Sequence, residues 1–379
     1  MEQYGVTRLL DELVTDLKDG RWRPVPARRV FIPKPGSTER RPLSIPTVRD
    51  RIVQAALKIV LEPIFEADFL PCSFGFRPKR AAQDALQVLL DESFKGQRWV
   101  VETDIANCFE AIPHEELMQA VQERVCDRAV PKLLRVILRA GVMRDGQVWR
   151  AVTGTPQGGV VSPLLCNVYV HRLDRAWRPA YGTLVRYVDD LVVMCRTQGQ
   201  ARAARARLTG LLAELGLEPK AAKTRIVHLQ EGGEGFDFLG FHQRWVSTRA
   251  ARSTRRLSFL ARWPSRKATQ HARDRIRELT ARSRLAVPVE HVVREVNLFV
   301  RGWVGYFRYG NSAESFDKIS AYADERMCLF VGKRHKRGRR YGRALLIRSG
   351  DRFGLINLHG TVVAPRPNRP WRAPVEHRR

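Results

Sequence analysis

Two apolar runs near the middle of the chain are separated by a pair of adjacent carboxylates. The runs, Leu184–Val188 and Leu191–Cys195, have the composition of β-strands, and Asp189 and Asp190 lie between them. This pattern predicts a β-hairpin with the two acids at its tip. Burying such a pair beside an apolar strand is costly unless a cation neutralises it. The segment therefore indicates a cation site, with an ordinary polar turn as the alternative.

A third carboxylate follows another apolar strand. The segment Trp99–Thr103 predicts a buried strand that ends at Asp104. Asp104 and Asp189 together would hold two Mg²⁺ ions a few Å apart, an arrangement that suits nucleotidyl transfer. The alternative role of Asp104 is to cap the helix that follows it.

Helical and strand-like segments alternate along the first 243 residues. Because the strands are joined partly by hairpins, the order indicates an α+β fold with a mixed sheet and not a doubly wound Rossmann domain. The predicted helices are 7–20, 47–65, 81–94, 114–125, 131–140, 163–178 and 200–215, and the predicted strands outside the central hairpin are Arg28–Ile32, 99–103, 224–229 and 236–241, with a turn at Pro33–Gly36 and a hairpin around Asp145–Gly146.

The last third of the chain has a different pattern. Residues 244–266 are rich in arginine with little periodicity, which indicates a boundary. Three helices are predicted beyond it, at 267–283, 288–307 and 312–333, with Ser312 as the N-cap of the third. The tail contains two strand-like pieces, Ala344–Ile347 and Leu355–Leu358, and ends rich in proline and arginine.

The charge is concentrated in this last third. The chain has 67 Lys and Arg against 39 Asp and Glu, a formal charge of +28. Residues 244–379 hold 32 of the bases and 10 of the acids, which leaves a net charge of +22 there. Arginine predominates, and its guanidinium binds phosphate through two parallel hydrogen bonds. The asymmetry favours nucleic acid as the partner over a generally basic surface.

Membrane, secretion and zinc signals are all weak. No apolar run approaches the roughly 20 residues of a membrane span, and the N-terminus lacks a signal-peptide pattern. We therefore expect no membrane partner and a place in the bacterial cytoplasm or nucleoid. The six cysteines include no Cys-x-x-Cys pair, so we expect reduced and mostly buried thiols and no zinc site.

Further residues suit nucleotide binding. Gln157 and Gly158 lie in a glycine-rich loop where a backbone can approach a ligand closely, although a simple turn explains the glycines equally. Phe109 would lie under the sugar of a bound nucleotide and exclude a 2′-hydroxyl, or belong to the core. Three bases around a Pro-Gly turn would bind a triphosphate or form a solvated hairpin tip: Lys34, Arg40 and Arg41.

Ordered blocks of sequence resemble one family, the group II intron-encoded reverse transcriptases and maturases. The blocks are, in chain order, RRVFIPKPG, RRPLSIPTVRDRIVQAAL, SFGFRPKRAAQDAL, VVETDIANCFEAIPHEEL, GTPQGGVVSPLLCNVYVHRLD, LVRYVDDLVVMC, LGLEPKAAKTRIVHL and FDFLGF. The basic helical segment 273–337 resembles the maturase, or thumb, domain of the same family.

The resemblance implies an α+β right-hand polymerase, with fingers and palm, followed by an all-α thumb or maturase domain. The implied domains are fingers with a short N-terminal extension at 1–98, a palm at 99–243 and a thumb or maturase (X) domain at 244–340. The resemblance does not cover the basic tail at 341–379, for which DNA binding and disorder are the alternatives. The implied cofactor is a pair of Mg²⁺ ions, with Mn²⁺ as an alternative. The implied partners are an RNA template, a structured intron RNA, a DNA primer or target, and dNTPs.

Particular residues take implied roles from the matching motifs. Asp104, Asp189 and Asp190, with Ile105 beside the first, match metal-binding positions, and Lys223 matches a lysine that protonates the leaving pyrophosphate. Arg77 is expected to hold either the template or the fingers. The remaining positions are Lys34, Arg40, Arg41, Phe109, Gln157 and Gly158 for the nucleotide, and Tyr187, Phe238, Leu239 and Gly240 for the template and primer.

Several departures from the family pattern leave alternatives open. Val188 stands where the family commonly has Ala, Ser44 where Gly is usual, and Gln83 where His is frequent. The N-terminal extension is short and a Cys-pair-bearing HNH nuclease is not seen, so we expect no target cleavage by this chain. The short N-terminus, Val188 and the missing nuclease favour a group II-like cellular reverse transcriptase of DNA repair or phage defence as an alternative. A splicing factor that binds RNA without polymerising is the other alternative.

Overall fold

The computed structural model of the protein describes residues 5–33, 40–149, 153–249 and 256–363. Within these ranges the chain forms two compact units, one of residues up to His228 and one of residues from Leu229 onward. The predicted subdivision at positions 98, 243 and 340 remains a prediction. No helix among the described residues is long and apolar enough to span a bilayer.

The first unit contains both helices and strands, as predicted for an α+β fold. Its helices are α1 Val6–Lys18, α2 Val48–Glu66, α3 Ala82–Phe94, α4 Cys108–Ala111, α5 His114–Gln122, α6 Ala129–Leu138, α7 Ser162–Ala176 and α8 Gln198–Glu214. Its strands are β1 Ala27–Pro33, β2 Arg40–Ile45, β3 Trp99–Asp104, β4 Val142–Arg144, β5 Gln147–Trp149, β6 Thr183–Tyr187, β7 Asp190–Cys195 and β8 Arg225–His228.

Local capping explains several helix starts. The Thr47 side chain accepts a hydrogen bond from the Asp50 amide at the start of α2, and Thr197 does the same for Gln200 at the start of α8. The helices and strands predicted for residues up to 228 are confirmed to within a few residues. The predicted turn at Pro33–Gly36 lies, beyond Pro33, outside the described residues.

A four-stranded antiparallel sheet, in the order β6-β7-β3-β8, is the centre of the first unit. The consecutive residues Val100 and Val101 are both fully buried, as are Val192 and Val193 on the neighbouring strand. Both faces of these strands are therefore covered, which accounts for their continuous apolar runs. Helices α3 and α8 pack against this sheet.

A second sheet in the same unit has the order β2-β1-β4-β5. Strands β1 and β2 are antiparallel, β1 and β4 are parallel, and β4 and β5 form the hairpin predicted around Asp145–Gly146. Gly146 has a φ of 79°, which suits the second position of this tight turn.

The second unit begins with strands, so the prediction of an all-α domain from residue 244 is wrong. Its elements are β9 Phe236–Phe238, β10 Phe241–Arg249, β11 Arg256–Pro264, α9 Arg266–Leu279, α10 Val289–Phe307, α11 Ala313–Arg334 and α12 Arg339–Arg348. The strands form a sheet in the order β11-β10-β9, in place of the predicted boundary at 244–266. Gln243 and Arg262 face each other in buried positions. Because these inward residues are polar, the sequence lacks the alternation of apolar and polar residues that predicts a strand.

The helices after the sheet agree with the predictions for 267–283, 288–307 and 312–333, but details differ. Ser312 does not cap α11 with its side chain; its hydroxyl donates instead to the Phe307 carbonyl. The predicted strand Ala344–Ile347 lies within helix α12, and Leu355–Leu358 is irregular. Helix α12 packs closely on α11 at Gly342, where a Cβ would lie 2.0 Å from the Cys328 carbonyl oxygen. This close packing favours the helix over the local strand propensity.

Candidate active site

The three predicted carboxylates meet at one end of the central sheet. Asp104 is the last residue of β3 and lies opposite Asp190, the first residue of β7, in the antiparallel register. Asp190 also pairs with Tyr187 across the hairpin, so Val188 and Asp189 form its two-residue turn. The hairpin and the placement of the acids at its tip are confirmed.

The turn has an unusual backbone conformation. Val188 has a φ of 62°, in the left-handed region that β-branched residues disfavour. Its side chain is buried. The Ile105 amide donates to the Asp189 carbonyl at 2.9 Å, which ties the turn to the end of β3. A strained residue at this point indicates that the surrounding structure fixes the turn.

The carboxylates repel one another electrostatically. Burial, together with the negative charge of Asp104, raises the pKa of Asp189. Burial, a hydrogen bond to Asp104 and the neighbouring charges raise the pKa of Asp190 to about 8. The ammonium of Lys223 forms an ion pair with Asp104. Burial opposes the charge on Lys223, but the bond to Asp104 and the nearby acids raise the pKa of Lys223 overall.

This donor set fits divalent cations by its chemistry. Carboxylate oxygens are preferred ligands of Mg²⁺. A nearby cation also stabilises three crowded carboxylates, because it offsets the repulsion between their negative charges. Among the described residues, no three His, Cys, Asp or Glu side chains converge closely enough to hold a metal as they stand. Lys223 provides the positive charge beside Asp104 instead. The Ile105 side chain is apolar and buried, so only its backbone carbonyl is available as a ligand.

Lys223 is brought to the site by the segment before β8. It ends a short 3₁₀ turn, Ala221–Lys223. The Lys220 amide donates to the Asp104 carbonyl at 2.7 Å, and the hydroxyls of Thr103 and Thr224 are 2.7 Å apart. These bonds join the two strand ends and place Lys223 beside Asp104, as expected for a residue acting at the same site.

The glycine-rich loop precedes helix α7 and is hydrogen-bonded to both strand β2 and helix α4. The Thr155 amide donates to the Phe109 carbonyl at 2.6 Å, and the Gln157 carbonyl accepts from the Ser44 amide at 2.6 Å. Gly158 has a φ of 109°, and a Cβ there would lie 2.5 Å from the Ser44 carbonyl oxygen. Only glycine fits at this position. The loop therefore brings Gln157 and Gly158 into one region with the half-buried Phe109.

Two of the three basic residues predicted to contact the nucleotide from the fingers are described by the structure. Arg41 lies on β2 with an exposed side chain. Its positive charge partly offsets the increase in the pKa of Asp189, so Arg41 lies near the carboxylates. Arg40 is exposed at the start of the same strand, opposite Pro33. Lys34 lies outside the described residues.

Arg77 does not face solvent. Its side chain is 3% exposed and pairs with Glu66 at 2.6 Å. It also donates to the carbonyls of Leu70, Ser73 and Phe69. Of its two predicted roles, this placement favours support of the fingers over a template contact. Tyr187 is half-buried, and burial raises the pKa of its hydroxyl.

Three of the predicted template and primer contacts belong to the second unit. Phe238 ends β9, and Leu239 and Gly240 form the turn into β10, with φ values of 51° and 78°. The Tyr306 hydroxyl donates to the Leu239 carbonyl at 2.9 Å, so helix α10 supports this turn. The contact of these residues with a primer remains a prediction.

One charged residue was missed in the sequence. Arg186 lies in β6, three residues before Asp189, and its side chain is completely buried. The available signal was a charge within the otherwise apolar run Leu184–Val188, because a buried charge needs a specific partner.

Comparison with known proteins identifies the family of the chain. The sequence profile of the reverse transcriptase (RNA-dependent DNA polymerase) family matches residues 32–243, more than half of the chain. The profile of the group II intron maturase-specific domain matches residues 269–345. The chain therefore belongs to the reverse transcriptase family, in its group II intron branch with a maturase-specific domain. The resemblance inferred from the sequence is confirmed.

Individual relatives differ in how much of them the chain covers. The group II intron-encoded protein LtrA of Lactococcus lactis subsp. cremoris is 42% identical over 166 residues, which are 44% of this chain and 28% of LtrA. The protein YkfC of Escherichia coli (strain K12) is 37% identical over 271 residues, 61% of this chain and 70% of YkfC. The chain thus spans less than a third of LtrA.

A solved structure with limited similarity to this chain is telomerase from Candida albicans in complex with a TWJ fragment of telomeric RNA. It has a TM-score of 0.46 and 12% sequence identity, over 83% of this chain and 62% of that one. This likeness is too low to bear on the fold or the function.

Proposed function

We propose that the protein is an RNA-directed DNA polymerase that transfers nucleotides at Asp104, Asp189 and Asp190. The observation that carries this proposal is the register that brings Asp104 opposite Asp190, with Asp189 in the adjoining turn. Two Mg²⁺ ions, or Mn²⁺ in their place, would be held by these carboxylates and the Ile105 carbonyl. Such ions, when bound, stabilise the negative charge that develops on oxygen during phosphoryl transfer.

The chain's own residues orient the nucleotide and protonate the leaving pyrophosphate. Arg41, near Asp189, would bind the triphosphate of a dNTP, and Lys223 would donate a proton from Nζ to the leaving pyrophosphate. The loop at Gln157 and Gly158 would border the base, and the ring of Phe109 would lie against the sugar and exclude a 2′-hydroxyl. The pKa of Lys223 is raised, so its side chain is protonated near neutral pH.

The polymerase proposal is tested by primer extension. Purified protein with Mg²⁺ is expected to extend a DNA primer on an RNA template, and Asp189→Ala is expected to abolish extension. Asp91→Ala is the matched control, because Asp91 is an exposed residue of helix α3 outside the site. No extension by the parent protein would contradict the function, whereas full extension by Asp189→Ala would contradict the site assignment.

The second unit has a separate proposed role in binding a structured intron RNA and assisting its splicing. The match of residues 269–345 to the maturase-specific domain supports this role. The exposed bases at the end of α11 and the start of α12 also support it. We call them the α11–α12 basic segment: Lys333, Arg334, Lys336, Arg337, Arg339, Arg340 and Arg343.

Splicing of the flanking intron with and without the protein tests the maturase role. Faster splicing with the protein is expected, because a bound protein stabilises the folded RNA. Equal rates with and without it would contradict this role and favour the repair or defence alternative. We place the protein in the bacterial cytoplasm or nucleoid, where its RNA and DNA partners are found.

A further inference from the structure

Arg186 uses all of its hydrogen-bonding capacity inside the first unit. Its Nε and Nη2 donate to the two carboxylate oxygens of Asp174, at 2.8 and 2.6 Å. Nη2 also donates to Ser73 Oγ at 2.8 Å, and Nη1 donates to Asn167 Oδ1 at 2.9 Å and to the Val188 carbonyl at 3.2 Å. A guanidinium has five N–H groups, and each is thereby accounted for.

A buried ion pair is not the most stabilising way to fill this space. Apolar residues of similar volume often stabilise a protein as well or better, because the charges must leave water. Arg186 and Asp174 are both fully buried. Burial alone would raise the pKa of Asp174, but the charge and hydrogen bonds of Arg186 hold the pKa below its ordinary value. The pair is thus ionised and makes hydrogen bonds of defined direction. An apolar pair such as Leu and Met would make none.

The direction matters because of the Val188 carbonyl. This carbonyl belongs to the peptide that joins Val188 to Asp189, so its orientation sets that of the following residue. Val188 has a disfavoured φ of 62°, and a turn free to relax would leave this conformation. The bond from Arg186 holds this carbonyl against the buried guanidinium.

The same network confines Val188 from its other side. Asn167 accepts from Arg186 and donates from Nδ2 to the Gly75 carbonyl at 2.8 Å. A Cβ on Gly75 would lie 2.4 Å from Val188 Cγ2, so the Val188 side chain occupies the space that the glycine leaves. The Phe74 amide donates to the Arg186 carbonyl at 2.9 Å, which fixes this segment to β6.

We propose that Arg186 is a positioning residue for nucleotidyl transfer, which fixes the Val188 peptide and thereby the direction in which Asp189 is presented. The inference rests on the proposed polymerase function. Asp174 and Asn167 act with it by orienting the guanidinium. A residue in this role affects the chemical step more than the binding of substrates.

The decisive variant is Arg186→Met combined with Asp174→Leu. It removes both buried charges together, so neither is left without a partner and a folded protein is expected. With primer–template and dNTP, kcat is expected to fall about 10- to 100-fold while KM for dNTP changes less than about threefold, because a misdirected carboxylate weakens the transition state selectively. Leu134→Ala is the matched control, because it destabilises the core at helix α6 away from the turn.

Binding of Mn²⁺, followed by electron paramagnetic resonance, gives a readout that does not need activity. The double variant is expected to bind Mn²⁺ more weakly than the parent protein, and Leu134→Ala to bind it equally well. If the double variant does not fold, Arg186→Lys decides the question in the same assays. It retains a charge beside Asp174, but its three N–H groups cannot make all five bonds.

The outcomes separate the two proposals. A parent protein that binds Mn²⁺ but extends no primer contradicts the polymerase function, and the Mn²⁺ comparison then still tests Arg186. An active parent protein whose folded Arg186 variant retains both its kcat and its Mn²⁺ affinity contradicts the positioning role. A loss of kcat in Leu134→Ala equal to that of the Arg186 variant, at equal thermal stability, also contradicts it.

Discussion

The two units use charge in opposite ways. In the first unit several charged side chains are buried or paired with an opposite charge, as in Arg186 with Asp174, Arg77 with Glu66 and Lys223 with Asp104. In the second unit, the α11–α12 basic segment is exposed along its length. Buried pairs fix directions and exposed bases attract a polyanion, so one unit is suited to chemistry and the other to binding.

The largest expected effect concerns the acids of the first unit. Asp104→Asn is expected to lower the rate of primer extension by at least about 10³-fold, because it removes a carboxylate charge that would hold the Mg²⁺ ions, and these ions stabilise the negative charge of the transition state. Rapid-quench primer extension measures this rate. Affinity for RNA is expected to stay unchanged, and a parallel loss of RNA affinity would break the division between the units.

The buried pair is expected to control stability. Asp174→Asn should destabilise the first unit by about 3–5 kcal/mol, because it leaves the buried Arg186 without a counter-charge. Denaturant unfolding measures the difference. Glu123→Gln is the control, because Glu123 pairs with Arg172 and Arg175 on the surface, where loss of a pair costs about 0–1 kcal/mol. Equal losses for both variants would remove the distinction between buried and exposed charges.

The exposed bases are expected to control RNA affinity. The triple variant Lys336→Ala/Arg337→Ala/Arg340→Ala should weaken binding of structured RNA about 10- to 30-fold and make the salt dependence less steep by about 2–3 units. Fluorescence anisotropy at several salt concentrations measures both. Arg202→Ala/Arg205→Ala, on the exposed face of α8, is the control and should change neither. An unchanged salt slope in the triple variant would contradict the proposed RNA surface.

The smallest expected effect concerns sugar selection. Phe109→Ala should lower the preference for dNTP over rNTP by about tenfold, because space opens for a 2′-hydroxyl. The ratio of kcat/KM for the two nucleotides measures it. Phe94→Ala, at the exposed end of α3, is the control. An equal preference for dNTP over rNTP in both variants would contradict the role in sugar selection and favour a role for Phe109 in the core.

The sequence predicts the elements that carry the acids because their signals are local. A pair of carboxylates between two apolar runs has one structural solution, and Asp104 ends a similar run. The partner of Asp104 in the structure, Lys223, was reached only through the family motif. Its segment is 119 residues away along the chain, and spacing does not reveal such a contact.

Two of the failures come from polar residues in buried positions. Arg186 was passed over because its partners lie in other segments of the chain, Asp174 and Asn167 in helix α7 and Ser73 between α2 and α3. The β10–β11 hairpin was missed because Gln243 and Arg262 occupy inward positions that are usually apolar. In both cases tertiary contacts, and not local propensity, decide where the polar side chain lies.

A single-turnover primer-extension experiment titrated with RNA template tests the division of roles most directly, because it yields a maximal rate and an apparent affinity together. Asp189→Ala is expected to lose the maximal rate. Its affinity for the RNA template, measured in a direct binding assay, is expected to equal that of the parent protein. The variant Lys336→Ala/Arg337→Ala/Arg340→Ala is expected to retain the maximal rate at saturating RNA with a weaker affinity. Loss of the maximal rate in that second variant, when folded and saturated with RNA, would contradict the account.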